Sequence, residues 1–374
     1  MRGELPDAAW IVALSRLPEV GPTRLRALLS IDEPAAVWHA IVSASIDPST
    51  LARVRDPRSL AARWQQVAAS LDVAAYWRAH LDAGIGVAVH GSPAFPRALA
   101  SDDDAPTVLF WLGDLDVLAG SSVAIVGTRR ATRYGIDVAH ELGARLSASG
   151  VAVVSGLALG IDAAAHAGAV RDGGAPPIAI VGSGLDRIYP RENAMLWRRV
   201  SERGVVLSEH PLGTPPAAWQ FPARNRLIAA IAEVVVVVES RRTGGALGTA
   251  TEAARRGRTV LAVPGPVGAA SSEGTNQLLF DGCGPARDVD DVLLALGRTP
   301  DRAPAVESRP IPAATSSDVL DHIPWTPISV ADLVDGLDLP IGAVMVALEE
   351  LHHDGWVDLH GTWVQRLARA SCGT

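Results

Sequence analysis

A six-residue segment, Phe-Pro-Ala-Arg-Asn-Arg at 221–226, combines an aromatic ring, an amide and two guanidinium groups. A nucleobase can stack on an aromatic face, and arginine can hold a phosphate through charge-assisted hydrogen bonds. Proline favours helix entry and a helix N-terminus attracts anions, so the segment should open a helix that accepts a phosphate. We interpret it as one side of a site for single-stranded nucleic acid, although its phenylalanine could instead only fill the core. The predicted contacts are Phe221, Arg224, Asn225 and Arg226.

The segment Val-Gly-Thr-Arg-Arg-Ala-Thr-Arg-Tyr-Gly at 126–135 supplies three arginines and two threonine hydroxyls directly after an apolar run. Its first glycine lets the backbone approach a ligand, and the charges should lie at a second helix N-terminus. The alternative is a basic turn that is only solvated, but three arginines so close together favour a phosphate. The predicted contacts are Gly127, Thr128, Arg129, Arg130 and Thr132.

Two further glycine-rich segments follow apolar runs and can present backbone amides to a phosphate or a sugar. They are Ser-Gly-Leu-Ala-Leu-Gly-Ile-Asp at 155–162 and Thr-Gly-Gly-Ala-Leu-Gly-Thr-Ala at 243–250. Because the sequence contains no lysine, the second segment cannot be the lysine-bearing loop of a nucleotide triphosphatase. We expect it to hold a phosphate that does not react. The predicted contacts in the two segments are Ser155, Gly156, Gly160, Thr243, Gly244 and Gly245.

Catalytic combinations of these residues are only weakly supported by their spacing. Ser155, Asp162 and His166 could form a hydrolase triad, but the Gly-x-Ser-x-Gly turn is missing, and Asp and His one helical turn apart commonly form a local hydrogen bond. A nicotinamide site is weakly supported because Arg187 stands where the motif needs its third glycine. The lack of lysine excludes Schiff-base chemistry. We therefore predict binding without catalysis, with no cofactor and no metal site.

Short β-branched runs alternate with amphipathic helical patterns from residue 121 onward. Near-continuous apolar strands separated by helices are typical of a parallel sheet that is covered on both faces. We predict an α/β fold with a doubly wound, Rossmann-like sheet, in which the valine strand at 234–238 is central. Residues 81–120 should add strands and a covering loop. The loops after parallel strands meet at one edge of the sheet, which would bring the glycine and arginine segments together.

Residues 1–297 divide into two predicted domains. Residues 1–80 show helical spacing of their apolar side chains, with turn signals at 32–34 and 47–48. Their Gly-Pro turn at 21–22 resembles a helix-hairpin-helix, although a tight turn in a helical bundle is the simpler interpretation. Residues 81–297 form the predicted Rossmann-like domain.

A proline-rich stretch at 298–316 is predicted to be a flexible linker, followed by a small domain at 317–374. This domain shows a helix, a turn, a second helix at about 341–353 and two short strands, which predicts a winged helix. Nine acidic residues and a single arginine occur between 317 and 366. Because a helix that reads DNA normally needs basic and amide side chains, we predict protein contact or structural packing for this domain.

The charge of the chain is unevenly distributed. Its formal net charge is −8, yet residues 121–290 contain 18 Arg against 15 Asp and Glu, so this part carries +3 and the rest −11. No apolar run approaches the roughly 20 residues that cross a bilayer, and no export signal is visible at the start. We expect a soluble, cytoplasmic protein with no membrane contact. Cys283 and Cys372 lie far apart and should be reduced thiols.

In their order and spacing, these segments resemble the DNA-processing protein A (DprA/Smf) family from about residue 92 to about 296. The most specific matches are Phe-Pro-Ala-Arg-Asn-Arg and Ser-Gly-Leu-Ala-Leu-Gly-Ile-Asp. The resemblance implies an extended Rossmann domain that binds single-stranded DNA, forms a homodimer through that domain and loads RecA recombinase onto incoming strands in natural transformation. The helical N-terminal domain and the C-terminal winged helix of the family agree with the predicted end domains.

The resemblance also implies roles for individual residues. The phosphate-binding arginine of the family corresponds to Arg129, its serine or threonine before Tyr-Gly corresponds to Thr132, and its Phe-Pro-x-Arg-Asn-Arg segment corresponds to 221–226. Two positions depart from the family pattern. The segment at 243–250 replaces the usual Ser-Gly-Ser-Leu-Ile-Thr-Ala loop, and Cys283 replaces a usual alanine.

The departure in the glycine loop supports an alternative function. Gly-Gly-Ala-Leu-Gly-Thr-Ala-Thr-Glu at 244–252 resembles the Gly-Gly-x-Gly-Thr-x-x-Glu motif of the lonely-guy phosphoribohydrolases, which cleave the base from a nucleoside monophosphate. Glu252 would then be catalytic. One extra residue before Gly-Thr rotates the following helix by about 100°, so we favour DNA capture by arginine together with stacking on Phe221.

Overall fold

The computed structural model describes residues 5–46, 56–299 and 310–367. The chain forms two compact units, Met1–Thr299 and Pro300–Thr374. The first unit contains every residue that the sequence predicts to contact a ligand.

Five helices precede the sheet in the described part of the first unit. Trp64 is fully buried among them, and its indole Nε1–H donates to the Pro18 carbonyl at 2.8 Å. Asp56 and Asp72 each accept a backbone N–H with the side chain and so act as helix N-caps. The core of this helical group continues into side chains of the sheet such as Phe110. The helices are α1 (Asp7–Ser15), α2 (Pro22–Leu29), α3 (Pro34–Val42), α4 (Pro57–Ser70) and α5 (Val73–Asp82).

Among the described residues, a nine-stranded sheet forms the centre of the first unit. Its strands are β1 (Gly86–Val89), β2 (Val108–Gly113), β3 (Ser122–Val126), β4 (Ala152–Ser155), β5 (Ile178–Ile180), β6 (Val205–Ser208), β7 (Val234–Val237), β8 (Thr259–Ala262) and β9 (Gly284–Pro285). They lie in the order β1-β2-β6-β5-β4-β3-β7-β8-β9. The pairs β1–β2 and β2–β6 are antiparallel and the others are parallel. The predicted Rossmann-like α/β fold is confirmed, and β1 and β2 are the added strands.

Helices cover both faces of this sheet. They are α6 (Arg97–Ala100), α7 (Arg133–Ala148), α8 (Ile161–Ala169), α9 (Ala194–Arg203), α10 (Gln220–Ile231), α11 (Gly245–Arg255), α12 (Glu273–Phe280) and α13 (Val289–Ala295). Side chains alternate along β3, so Val123 and Ile125 pack with α7, α8 and α13, whereas Ala124 and Val126 pack with α10 and α11. Burial on both faces explains why these strands are almost wholly apolar.

The strand order reverses between β3 and β7. From β3 the chain proceeds outward through β4, β5 and β6, and it then returns to β7 on the other side of β3. The predicted valine strand is β7, which is fully buried between β3 and β8. In open α/β sheets, ligands bind beyond the carboxyl ends of the strands at such a reversal. The loops after β3 and β7 are therefore the place where this fold offers a site.

The second unit forms the predicted winged-helix arrangement. Its elements are α14 (Ala314–His322), β10 (Ile328–Ser329), α15 (Val330–Asp335), α16 (Ile341–His353), β11 (Val357–His360) and β12 (Trp363–Arg366). In the small antiparallel sheet, β12 lies between β10 and β11. The second helix predicted at 341–353 is α16, and its buried face includes Val344, Leu348 and Leu351.

Some predicted features fall on residues that the structure does not describe. These are the turn at 47–48, residues 300–309 of the predicted linker, and Cys372. Cys283 is a free thiol. Within the described ranges, no helix combines the length and the apolar composition that a membrane span requires.

Candidate nucleic-acid interface

A cavity of about 540 Å³ opens at the carboxyl ends of β3 and β7, and we call it the switch-point cavity. It is lined by the loop after β3, the start of α10 and the segment that leads into α11. The segment at 155–162 contributes Ala158 and Asp162, so all four predicted segments meet in one place, as the strand order requires. The predicted residues that line it are Gly127, Thr128, Arg129, Phe221, Arg224, Asn225, Thr243, Gly244 and Gly245.

Close backbone packing shapes one side of the switch-point cavity. A Cβ atom on Gly127 would lie 2.5 Å from the side chain of Ile161, so only glycine lets the loop after β3 approach α8. Gly160 has a φ of 78°, and a Cβ atom there would lie 2.4 Å from the carbonyl oxygen of Thr128. Gly160 thus lets two loops pack together, and its predicted ligand contact stays a prediction.

An aromatic and cationic cluster lines part of the switch-point cavity. The guanidinium of Arg129 lies over the ring of Phe221, 4.9 Å from its centroid. The ring of Tyr189 lies 5.4 Å from that of Phe221 at an interplanar angle of 31°, and 42% of Tyr189 is exposed. Together these groups form a broad surface on which a base can stack while the arginine meets its phosphate.

Sequence reasoning missed an aromatic residue and an arginine that line the switch-point cavity, Tyr189 and Arg241. Tyr189 lies in the strand-to-helix loop after β5, and Arg241 lies two positions before the glycine segment that leads into α11. Both residues lie in loops that follow parallel strands, and this position was the signal in the sequence that could have identified them. Neither belongs to a local motif that marks it as a contact residue.

The N-terminus of α11 opens into the switch-point cavity. Its N-cap, Gly244, provides no side-chain hydrogen bond, so backbone N–H groups of the first turn are available to an acceptor. A Cβ atom on Gly245 would meet no atom within 4 Å, which shows that this glycine faces open space. The Asn225 amide donates to the Gly245 carbonyl at 3.4 Å and joins α10 to this turn. The turn can hold an anion through backbone amides.

Arg224 reaches the switch-point cavity with a side chain that is only 7% exposed. Its Nη1 donates to the carbonyl oxygens of Gly156, at 2.9 Å, and of Ile180. Its Nη2 lies 3.9 Å from the carboxylate of Asp162. Burial raises the pKa of Asp162, and the charge of Arg224 opposes that rise. Arg224 therefore joins α10 to the loop after β4 and to the end of β5, and its contact with a phosphate stays a prediction.

Thr132 connects the loop after β3 to the end of β7. Its backbone N–H and its hydroxyl both donate to the carboxylate of Glu239, at 2.9 Å and 2.5 Å, and its hydroxyl also caps α7 at Gly135. A Cβ atom on Gly135 would lie 2.5 Å from this carboxylate, which explains the glycine there. Thr132 lies outside the lining of the switch-point cavity. The structure gives it a supporting role, while direct contact with a ligand stays a prediction.

Four other predicted contacts lie away from the lining of the switch-point cavity, and one of them, Gly156, lines a small cavity together with Arg129 and Phe221. Arg226 pairs with Glu209 on another face of α10, with side-chain exposures of 16% and 10%. Arg130 is exposed beside Arg129 but does not line the cavity. Ser155 is fully buried, and its hydroxyl donates to the Ile125 carbonyl at 2.7 Å.

The possible Ser-Asp-His triad is not assembled. The Nε2 of His166 donates to the Ile178 carbonyl at 3.1 Å, while its Nδ1 is buried without a hydrogen-bond partner. The Asp162 carboxylate instead accepts the Gly156 N–H at 3.1 Å. Burial lowers the pKa of His166 to about 4, so this ring is neutral at physiological pH.

Glu252, the catalytic residue of the alternative hypothesis, lies outside the lining of the switch-point cavity. Its carboxylate accepts a hydrogen bond from Arg256 at 2.5 Å and pairs with Arg255 at 3.2 Å. Arg256 in turn pairs with Asp102 at 2.6 Å. In this network Glu252 joins α11 to the segment after α6.

Comparison with known proteins shows the family of the chain. Residues 86–297 match the model of the family described as DNA recombination-mediator protein A. The chain is also 38% identical over 216 residues to the DNA processing protein DprA of Bacillus subtilis, a match that covers 58% of this chain and 72% of that protein. The chain belongs to the DNA recombination-mediator protein A family. The resemblance seen in the sequence is confirmed.

Two solved structures of DNA processing protein A are similar to this family member. The protein from Streptococcus pneumoniae superposes with a TM-score of 0.62 at 30% identity, covering 78% of this chain and 98% of that one. The protein from Helicobacter pylori superposes with a TM-score of 0.52 at 29% identity, covering 57% of this chain and 95% of that one. The published description of the second concerns its single-stranded DNA binding mode.

Replacing Arg224 should affect folding of this recombination-mediator protein more than it affects one ligand contact. Arg224→Ala leaves the buried carboxylate of Asp162 without its cation, which we expect to lower the free energy of unfolding by about 3–5 kcal/mol. Arg129→Ala removes an exposed guanidinium from the same cavity. This substitution should change the free energy of unfolding by less than about 0.5 kcal/mol. Urea unfolding followed by circular dichroism measures both. Equal stability of the two variants would contradict the structural role of Arg224.

The low pKa of His166 predicts that the folded protein loses stability in acid. Its folded pKa of about 4 lies below the ordinary value of 6.5, so the unfolded chain binds the proton more readily. The contribution of the neutral His166 ring to the free energy of unfolding is complete above pH 6.5. It decreases as the pH falls toward 4, by at most about 1.4 kcal/mol per pH unit. His166→Gln keeps an N–H donor without a titrating ring, so its unfolding free energy should vary less over this range. Urea unfolding at several pH values measures this difference. If the free energy of unfolding of the parent and of His166→Gln changed equally with pH, His166 would not titrate in this way.

Proposed function

We propose that this chain binds single-stranded DNA in the switch-point cavity. The observation that supports this most is the ring of Phe221, flanked by Tyr189 at 5.4 Å and by the Arg129 guanidinium at 4.9 Å. Such a surface takes the face of an unpaired base, and the arginine beside it takes the phosphate. A base inside a duplex is already stacked and cannot use this surface.

The size and composition of the cavity support the same proposal. Its volume of about 540 Å³ lies in the range of pockets that hold small molecules, so one or two nucleotide units can enter. The N-terminus of α11, with Gly244 and Gly245, can hold a second phosphate through backbone amides. Stacking and phosphate contacts do not depend on base identity, which suits a protein that must accept any strand.

We further propose that the chain acts without catalysis. Glu252 pairs with Arg256 away from the cavity, and His166 donates to a backbone carbonyl. A nucleophile, a base and a group that orients the base must lie within hydrogen-bond reach of one another. The residues that line the cavity are suited to hold a nucleotide, and they include no such set in the described part of the chain.

The partners implied by the resemblance form the remaining part of the proposal. The family model describes a DNA recombination-mediator protein, which supports delivery of the bound strand to RecA recombinase. We propose that the chain acts as a homodimer through its Rossmann-like domain. The acidic second unit is proposed to contact protein rather than DNA, since α16 carries no arginine or lysine.

Fluorescence anisotropy with labelled oligothymidine and a matched duplex, over a salt series, tests DNA binding. We expect preference for the single strand and a steep decrease in affinity with salt. Arg129→Ala should weaken single-strand binding about tenfold or more, because a charge-assisted hydrogen bond contributes about 1.5–3 kcal/mol. The slope of log affinity against log salt should decrease by about 0.7.

Arg130→Ala is the matched control for this experiment. It removes the same charge from the neighbouring position, which lies outside the cavity. We expect Arg130→Ala to lose less affinity for the single strand than Arg129→Ala does. Equal losses in the two variants would show that general charge, and not the cavity, determines binding.

Incubation with AMP tests the alternative hydrolase function. We expect no adenine above the buffer level, and the same result for Glu252→Ala, because the carboxylate of Glu252 is held by Arg256. Chromatography of the products measures the released base. Adenine release by the parent protein that disappears in Glu252→Ala would establish the hydrolase instead.

A further inference from the structure

The first half of α10 borders two different cavities. Phe221 and Asn225 line the switch-point cavity. Trp219, Ala223 and Arg226 follow at helical spacing on another face and line a second cavity of about 250 Å³, which we call the tryptophan cavity. Each cavity thus has an aromatic residue at the start of the same helix.

Trp219 is well placed to stack with a planar group. It is 64% exposed, which is unusual for so large an aromatic side chain. The ring of His210 lies edge-on to it, with centroids 6.0 Å apart and an interplanar angle of 88°. Burial lowers the pKa of His210, so this ring is neutral near pH 7 and can exchange hydrogen bonds with an uncharged partner.

The charges that line the tryptophan cavity are largely paired. Arg226 forms an ion pair with Glu209, and Asp104 lies 3.5 Å from Arg256. This lining suits an uncharged planar group with polar edges, such as a nucleobase, better than it suits a phosphate. Arg26 is exposed at the same cavity and can meet the phosphate that such a base carries.

We propose that the tryptophan cavity takes a second base of the bound DNA strand, stacked on Trp219. This inference rests on the proposed function of the switch-point cavity. Trp219 and Phe221 are two residues apart, so their Cα atoms lie within about 7 Å of each other, and a strand that passes over the start of α10 meets both. The Gly-Pro turn at 21–22, which the sequence singled out, borders this path because it lines the tryptophan cavity.

Anisotropy with an oligothymidine of about 16 nucleotides tests this second contact in the full-length protein. We expect Trp219→Ala to weaken binding about 5- to 100-fold, as the loss of one stacked base does. The salt slope should stay unchanged because no phosphate contact is lost. Trp219→Phe keeps an aromatic face and should restore most of the affinity. Phe280→Ala, which removes an 85% exposed ring on α12, is the matched control and should bind like the parent.

Quenching of 2-aminopurine, placed at successive positions of the oligonucleotide, gives a readout on the unmodified protein. We expect quenching at two separate positions, one lost in Phe221→Ala and the other lost in Trp219→Ala. Unchanged affinity of Trp219→Ala, or a single quenched position that only Phe221→Ala removes, would overturn the second contact while leaving the switch-point cavity in place. Failure of the parent protein to bind the oligonucleotide would instead reject the proposed function itself.

Discussion

The buried contact between Arg224 and Asp162 fixes the position of α10, and the candidate interface depends on that position. Each side chain is only 7% exposed, and Arg224 also donates to carbonyl oxygens in the loop after β4 and at the end of β5. A Cβ atom on Gly156 would lie 2.0 Å from the guanidinium, so this glycine makes room for the contact. Because α10 is held there, Trp219 and Phe221 are presented on either side of its first turn.

Placing arginines in the first half of a helix has an electrostatic consequence. The helix N-terminus carries a partial positive charge, so a cation near it is unfavourable unless a carboxylate compensates. Arg224 is matched by Asp162 and Arg226 by Glu209. Arg129, which comes from the loop after β3, has no such partner among the described residues and lies against an aromatic face. It is therefore the guanidinium of this group that is best able to meet a phosphate.

The fold could be predicted from local pattern, whereas the partner of each charged side chain could not. Apolar runs predicted β3 and β7, and helical spacing predicted α16 with its observed bounds. These predictions were possible because the spacing of buried side chains can be read directly from the sequence. The burial of Arg224 depends on Asp162, which lies 62 positions earlier, and on the carbonyl oxygens of Gly156 and Ile180. Tyr189 was missed for the same reason, since its contact with Phe221 exists only after β5 and α10 come together.

The position of Glu252 shows why a similar motif does not establish a similar reaction. It lies seven residues after Gly245, which places it about 10 Å along α11 from the helix start. A carboxylate that assists cleavage of a nucleotide must come within hydrogen-bond reach of the bond that breaks. Glu252 instead completes a network with Arg256 and Asp102 that attaches α11 to the segment after α6. The glycine turn and the glutamate therefore serve different sites in this chain, which favours binding over hydrolysis.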